Sequence, residues 1–174
     1  MSTSFIGIPK IDAIVKNLAA TEKQVEQAMR SAIRKTMTWA GNQGRSAIAD
    51  RLNIRLSATK GRVKIFIRAD EGIAKSFFGL NDLPSSRLNP KQTATGATME
   101  GMKGEVKHAF VAKSKSGKKF VFLRKTEARF PIQQVGLPIN DVGQEVIAND
   151  VFPKVEDRFM FEFQRELQWQ IQKS

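Results

Sequence analysis

The sequence AFVAKSKSGKKFVFL, residues 109–123, decides the fold more than any other stretch of the chain. Two short apolar runs, residues 109–112 and 120–123, enclose a polar connection that contains a single glycine. β-Branched and aromatic runs around a short glycine-containing connection are typical of a β-hairpin. The connection is rich in lysine, so the stretch predicts a hairpin with a positively charged tip.

A long helical pattern precedes the hairpin. Across residues 21–49, apolar side chains recur at steps of three and four, which places them on one face of a helix. Thr21 followed by Gln24 has the spacing of a capping box at the start of this helix. Gly41 and Gly44 interrupt the pattern, and we expect a kink or a break there because each glycine costs a helix about 1 kcal/mol relative to alanine. The predicted apolar face consists of Val25, Met29, Ile33, Met37 and Ala40.

A second helical pattern closes the chain, from about residue 150 to residue 171. Its apolar side chains step by four and form a wide stripe that is rich in phenylalanine. Such a stripe is typical of a core or a subunit interface rather than of a ligand site. We therefore assign to core or interface the residues Val155, Phe159, Phe163 and Leu167.

The middle of the chain predicts short strands. Residues 63–68 alternate with a period of two and are rich in β-branched side chains, and residues 73–78 form a weaker strand candidate. Residues 81–104 contain many proline, glycine, serine and threonine residues, so we expect a long loop that orders only on assembly. Within it, residues 97–102 can still form a strand.

The order of these elements indicates an α+β fold. It has a long N-terminal helix, a central antiparallel sheet with a basic hairpin, and a C-terminal helix. We assign the whole chain, residues 1–174, to a single domain. Its parts are a helical region 1–54, a basic β region 55–138 and a C-terminal helical region 139–174.

Composition excludes several classes of site. The chain has 174 residues with no cysteine and no tyrosine, so disulfides, thiolate metal sites and cysteine nucleophiles are absent. Its single histidine, His108, has no carboxylate or nucleophile at a spacing that indicates catalysis, and we interpret it as structural. We expect no enzyme activity, no cofactor and no metal. No stretch is long and apolar enough for a membrane span, so we expect a soluble protein made in a cytoplasm.

Charge is concentrated in the middle of the chain. The formal net charge is +12, of which residues 55–130 contribute +11 and residues 131–174 contribute −3. This asymmetry favours a basic surface that faces a polyanion, most plausibly nucleic acid, and a separate acidic surface on the C-terminal helix. The candidate contact residues, for a DNA channel or for an acidic neighbouring subunit, are Lys113, Lys115, Lys118, Lys119, Arg124, Lys125, Arg129, Arg62, Lys64 and Arg68.

Two aromatic residues of the hairpin leave two interpretations open. Phe120 and Phe122 can stack on the bases of a single strand, or they can belong to the core. Their alternation within the apolar run favours the core.

The segment HAFVAKSKSGKKFVFLRKTEARFPIQQVGLPI resembles the phage minor tail protein Z family. Members open a strand with an Ala-Phe pair, follow it with a glycine-containing turn and a second strand ending in a basic residue, and continue with an Arg-Phe-Pro-Ile element. The matching positions are Ala109, Phe110, Gly117, Val121, Arg124, Arg129, Phe130, Pro131, Ile132 and Pro138. The middle of this chain is less rich in arginine than in some members, which weakens the expectation of tight DNA contact.

The resemblance implies a structural protein of a tailed phage, in the virion, assembled in the bacterial host cytoplasm. It implies a tail-completion or neck subunit that acts at the head-proximal end of the tail, forms a ring and takes part in head–tail joining. The implied partners are further copies of the chain in a hexamer or dodecamer, neighbouring tail-terminator, neck or head–tail connector proteins, and non-specific double-stranded DNA in the channel. No membrane partner and no cofactor are implied.

A free, non-sequence-specific nucleic-acid-binding protein is the alternative hypothesis. The basic middle and the hairpin motivate it. A ring subunit predicts a defined oligomer found in particles, whereas a free binder predicts salt-sensitive binding of DNA by small species.

Overall fold

A computed structural model of the chain describes residues 9–68, 73–126 and 128–173, without the side chains of residues 9, 10, 12, 65–68 and 73–76. The helices are α1 (Pro9–Asn17), α2 (Glu22–Arg51), α3 (Asn140–Val146) and α4 (Val155–Lys173). The strands are β1 (Val63–Arg68), β2 (Ile73–Phe78), β3 (Leu83–Pro84), β4 (Lys91–Gln92), β5 (Gly96–Thr98), β6 (Val106–Lys107), β7 (Ala109–Lys113), β8 (Lys119–Arg124), β9 (Ile132–Gln134) and β10 (Gly136–Leu137). This arrangement confirms the α+β fold with a long N-terminal helix, a basic hairpin and a C-terminal helix.

The start of α2 confirms the predicted capping box. The Gln24 side-chain oxygen accepts a hydrogen bond from the Thr21 backbone N–H at 2.8 Å, and the Thr21 hydroxyl accepts one from the Gln24 N–H at 3.4 Å. Of the kink or break expected at Gly41 and Gly44, the break is wrong, because α2 continues through both residues. A Cβ atom at Gly44 would lie 2.6 Å from Cε1 of Phe78, so this glycine permits close packing inside a helix.

Two compact units make up the chain, and the first contains α1, α2 as far as Gly41, and α4. Its core is formed by Ile11, Val25, Ala28, Ala32, Phe163 and Leu167. The buried face of α2 is thus centred on small side chains, whereas Met29, Ile33 and Met37 are only half-buried. Ala28 and Ala32 of α2 leave room for the large Phe163 ring of α4. The apolar stripe predicted for α2 did not include these two alanines.

The second unit comprises Asn42–Lys64 and Phe77–Val151. The long loop expected over residues 81–104 is wrong, because Leu83, Leu88, Ala97 and Met99 from this segment are buried in the core of the unit. The segment forms β3, a 3-10 turn over Ser85–Arg87, β4 and β5. The remaining buried core residues are Ala49, Ile54, Ala58, Ala109, Val121, Leu137 and Ile139.

Gly101 follows this segment at a point where the backbone requires glycine. Its φ is +80°, which side-chain-bearing residues rarely adopt, and a Cβ there would lie 2.6 Å from Leu137 and 2.7 Å from Ile54. The chain therefore turns against the core at Gly101. The structure has β5 over Gly96–Thr98, so the strand expected over 97–102 begins earlier and ends well before this turn.

Within the described residues, the strands form four small sheets. β1 pairs with β2, β3 with β10, β4–β5–β6 form one three-stranded sheet, and β7–β8–β9 form another. Directly before β6, the Glu105 carboxylate accepts hydrogen bonds from the hydroxyls of Thr93 at 2.5 Å and Thr95 at 2.7 Å. These two hydrogen bonds lower the pKa of Glu105, and the bond from Thr93 has the larger effect.

A candidate interaction surface on the β7–β8–β9 sheet

The predicted hairpin consists of β7 and β8. Ala109 pairs with Leu123 and Lys113 pairs with Lys119, so the register covers both apolar runs. The Gly117 N–H donates to the Ser114 carbonyl at 2.9 Å, and Gly117 has a φ of +78°. This is a turn closed by a glycine in the left-handed region, as three-residue hairpin loops require. Turn chemistry alone therefore made the hairpin predictable from the sequence.

The two faces of the sheet differ in their surroundings. Alternation places Ala109 and Val121 on one face, where both are buried in the core of the unit. Phe110, Phe120 and Phe122 lie on the other face and are half-buried. The prediction that Phe120 and Phe122 belong to the core is therefore wrong. Period-two alternation separates two faces of a strand but does not indicate which face is covered.

The three rings form a row across this outer face. The centroids of Phe110 and Phe122 are 5.9 Å apart, and those of Phe120 and Phe122 are 6.3 Å apart. The Arg124 guanidinium lies over the Phe110 ring, 5.2 Å from its centroid. Ile132 of β9 pairs with Arg124 and is 37% exposed. We call the surface formed by these five residues the outer face; they are Phe110, Phe120, Phe122, Arg124 and Ile132.

The four predicted lysines surround the hairpin tip and are all exposed. Lys113 and Lys119 lie directly opposite each other in the ladder, and Lys115 and Lys118 are in the turn between them. Like charges placed directly opposite across two strands are destabilising. Within residues 9–68, 73–126 and 128–173, no carboxylate forms an ion pair with any of the four. The tip is thus a concentrated positive charge that no described carboxylate compensates.

At the other end of the hairpin, Arg124, Lys125 and Arg129 are also exposed. Arg129 lies over the ring of Phe130, 5.8 Å from its centroid, and that ring is itself 64% exposed. The peptide bond between Phe130 and Pro131 is cis. Cations and aromatic rings therefore alternate at this end as well.

The other basic candidates lie elsewhere. Arg62 is half-buried, and its guanidinium donates to the Asp82 carbonyl at 2.8 Å; burial lowers the pKa of Arg62. These contacts tie two chain segments together, which is a structural role. Lys64 is exposed in β1, and Arg68 closes the same strand with a side chain outside the described ones. Among the described contacts, none joins Arg62 or Lys64 to a hairpin lysine.

The residues matched to the family motif divide into two groups. Ala109 is buried in the core, whereas Phe110 is on the outer face. Phe130, Pro131 and Ile132 are exposed around the start of β9, and Pro138 is exposed before α3.

In the first unit, α4 carries the predicted apolar stripe. Phe163 and Leu167 are fully buried, and Val155 and Phe159 are half-buried. The expected acidic surface on this helix is wrong in part. Glu162 is buried and contacts the guanidinium groups of Arg158 and Arg165, and Glu166 is buried with Lys35 at 2.5 Å.

Aromatic and basic side chains are also exposed on α4. Phe161 is 55% exposed and Trp169 is 51% exposed. Arg158 and Arg165 lie over the Phe161 ring at 5.3 and 5.7 Å, and Lys173 lies 4.9 Å from the Trp169 centroid. Two of the helix's four carboxylates are thus buried in ion pairs.

Sequence reasoning missed two residues that hold the sheet in place. The Ser85 hydroxyl is buried and accepts a hydrogen bond from the Val121 N–H at 2.9 Å, in the middle of β8. The Gln92 side-chain oxygen accepts one from the Val111 N–H at 2.8 Å, along the edge of β7. Both are long-range contacts of ordinary polar residues, and no local sequence signal announces them.

His108 links β6 to β7. Its side chain is exposed, its φ is +60°, and its backbone N–H donates a hydrogen bond to the Thr95 carbonyl at 2.9 Å. Over the described parts of the chain, no group of three or more His, Asp or Glu side chains is placed to hold a metal ion. Among the same residues, no helix has the length and apolar character needed to cross a membrane.

Comparison with known proteins gives one result. The family model described as prophage minor tail protein Z (GPZ) matches residues 9–173. No curated protein and no solved structure matches the chain.

Proposed function

Because the chain belongs to the prophage minor tail protein Z family, which makes it a structural component of a phage tail, we propose that it is a tail-completion or neck subunit. It acts at the head-proximal end of the tail, forms a ring around the DNA channel and takes part in joining head to tail. We propose no enzymatic activity for it.

The observation that carries this proposal is the uncompensated charge of the hairpin tip. Lys113 and Lys119 face each other across the ladder, with Lys115 and Lys118 between them. An arrangement that is unfavourable in the isolated subunit is stabilised when an anion approaches it. The phosphate backbone of DNA in a channel, or an acidic neighbouring subunit, supplies such an anion without sequence readout.

A ring multiplies this effect. Each added copy contributes four tip lysines to the same lumen, so the positive potential grows with the number of subunits. Ring closure needs two different surfaces on each subunit, since head-to-tail contacts are heterologous. The exposed aromatic rings of α4, Phe161 and Trp169, offer one such surface.

The test is genetic. The gene is deleted from its phage, and the particles are imaged and titred with and without complementation by the wild-type gene. We expect full heads and full-length tails that fail to join, or joined particles that are not infectious. Normal particles at normal titre would remove the virion role.

A variant test separates the tip from the rest of the molecule. Replacing Lys113, Lys115, Lys118 and Lys119 with glutamine should impair joining without lowering the melting temperature of the isolated protein. The matched control replaces four lysines exposed elsewhere, Lys16, Lys23, Lys60 and Lys154, and should complement normally. Equal titres for both variants would contradict a role for the tip.

A further inference from the structure

We propose that the outer face binds single-stranded nucleic acid. This goes beyond the proposed function, which needs only double-stranded DNA held by charge. The observation behind it is a row of half-buried aromatic rings on one sheet face, with cations at both ends of the strands that form no ion pair among the described residues.

The aromatic row provides a stacking platform. Phe110, Phe122 and Phe120 follow one another at 5.9 and 6.3 Å, on the face opposite the core. Each ring is half-buried, so it is fixed by its neighbours and still has surface to offer. Unpaired bases stack on such rings whatever their sequence, since every base has a flat aromatic face.

Cations border the platform on both sides. The tip lysines lie at one end of the strands, with Lys115 and Lys118 in the turn and Lys113 and Lys119 in step with the core-facing side chains. Arg124, on the face of the rings, lies at the other end with Lys125 and Arg129. None of these seven residues forms an ion pair with a carboxylate in the described portion of the chain. A strand that lays its bases across the rings therefore places its phosphates near positive charge at each end.

Arg124 contributes to both parts of the site. Its guanidinium lies 5.2 Å from the centroid of the Phe110 ring, on the same face as the other rings. A planar cation held against an aromatic ring can itself stack on a base while it attracts a phosphate.

These features favour a single strand over other polyanions. A duplex keeps the faces of its bases stacked inside the helix, so it would contact the lysines and leave the rings uncovered. An acidic protein segment would match the charge, but it offers a flat aromatic surface only where it carries an aromatic residue. An unpaired strand offers one with every nucleotide, so it uses the rings and the cations together.

The test measures binding of the intact protein by fluorescence anisotropy. The probes are a labelled 15-nucleotide oligothymidine and a duplex of the same length, with heparin as a competitor that has charge but no bases. We expect the protein to bind the oligothymidine at least tenfold more tightly than the duplex.

The variants separate stacking from charge. Phe110→Leu and Phe122→Leu keep an apolar side chain on the strand, and each should weaken oligothymidine binding by at least about fivefold while leaving duplex binding unchanged. The control Phe161→Leu changes a ring that is exposed on α4 and also lies beneath cations, and it should have no effect. Glutamine at all four tip lysines should reduce the salt dependence of oligothymidine binding, lowering the slope of log K against log salt by up to about 3.

Two outcomes overturn the proposal. In the first, oligothymidine, duplex and heparin bind alike and the phenylalanine variants bind as the wild type does, which leaves a site for charge alone. In the second, no nucleic acid binds, which assigns the outer face to a protein partner. Both are independent of the proposed function, because failure of tail completion is read from particles and titres rather than from oligonucleotide binding.

Discussion

Ser85→Ala tests how the central strand of the hairpin sheet is stabilised. The Ser85 hydroxyl is fully buried and accepts a hydrogen bond from the Val121 N–H at 2.9 Å. Among the described contacts, this N–H has no other hydrogen-bond acceptor. Alanine has nearly the same size, so the substitution removes an acceptor and creates almost no cavity. The Val121 N–H is then buried without a partner.

The expected loss follows from that single donor. An unsatisfied buried donor costs about 1–3 kcal/mol of unfolding free energy. For a chain of this size, such a loss lowers the melting temperature by about 2–12 °C. Urea titration followed by circular dichroism measures the free energy, and a thermal scan measures the shift.

The neighbouring residue provides the control. Ser86 is half-buried and has no side-chain hydrogen bond among the described contacts, so Ser86→Ala should change the unfolding free energy by less than about 0.5 kcal/mol. If Ser85→Ala behaves like Ser86→Ala, then the Val121 N–H finds another acceptor and the reasoning is refuted.

Three further predictions concern stability. Gly101→Ala should destabilise the protein by about 2–5 kcal/mol in urea, because it combines a positive φ with a clash in the core, whereas Gly104→Ala has a φ of +91° with open space around it and should cost only about 1–2 kcal/mol; equal losses would show that the core yields. Glu105→Gln should destabilise the protein at pH 7. The pKa of this carboxyl is lowered in the fold, so its ionised form stabilises the fold above the ordinary pKa of 4.5, and that contribution is lost as the pH falls through the folded-state pKa. If urea titrations at about pH 2 show the same difference in unfolding free energy between variant and wild type as at pH 7, this prediction is contradicted. Phe163→Ala should cost about 3–5 kcal/mol because the ring is fully buried, and Phe161→Ala should cost under about 1 kcal/mol because its ring is 55% exposed; similar melting temperatures for the two variants would contradict the placement of α4.

Local chemistry made part of the fold predictable. The glycine-containing tip with β-prone flanks indicated the hairpin, and the Thr21–Gln24 spacing indicated the start of α2. In each case the residues that carry the signal are close together in the sequence. Turn and cap geometries depend on a few neighbouring residues, so a sequence pattern is sufficient to find them.

Long-range packing made the rest unpredictable. Gly44 suggested a break in the helix, yet Phe78, more than thirty positions away, is the neighbour that requires a glycine there. The segment around Leu83 and Leu88 has the composition of a loop but is buried by residues from other parts of the unit. The burial of Val121 rather than Phe122 depends on which face the core occupies.

The candidate surface shows the same division. The four tip lysines were identified from composition and spacing alone. The position of the aromatic row on the uncovered face required the strand register and the location of the core. The same strands with the opposite face turned to the core would bury the three phenylalanine rings, and no stacking surface would exist.

The Gln92 side chain has a consequence for how copies of this chain can associate. Its amide oxygen occupies the Val111 N–H on the border of β7, and its amide nitrogen lies 3.5 Å from the Ala109 carbonyl. A side chain thereby caps backbone groups that would otherwise template a strand from another molecule, the usual route to fibrils. Lateral growth of the sheet on this border is therefore blocked. Copies that associate on this side of the sheet can do so only through side-chain surfaces, where the geometry of a contact can be specified.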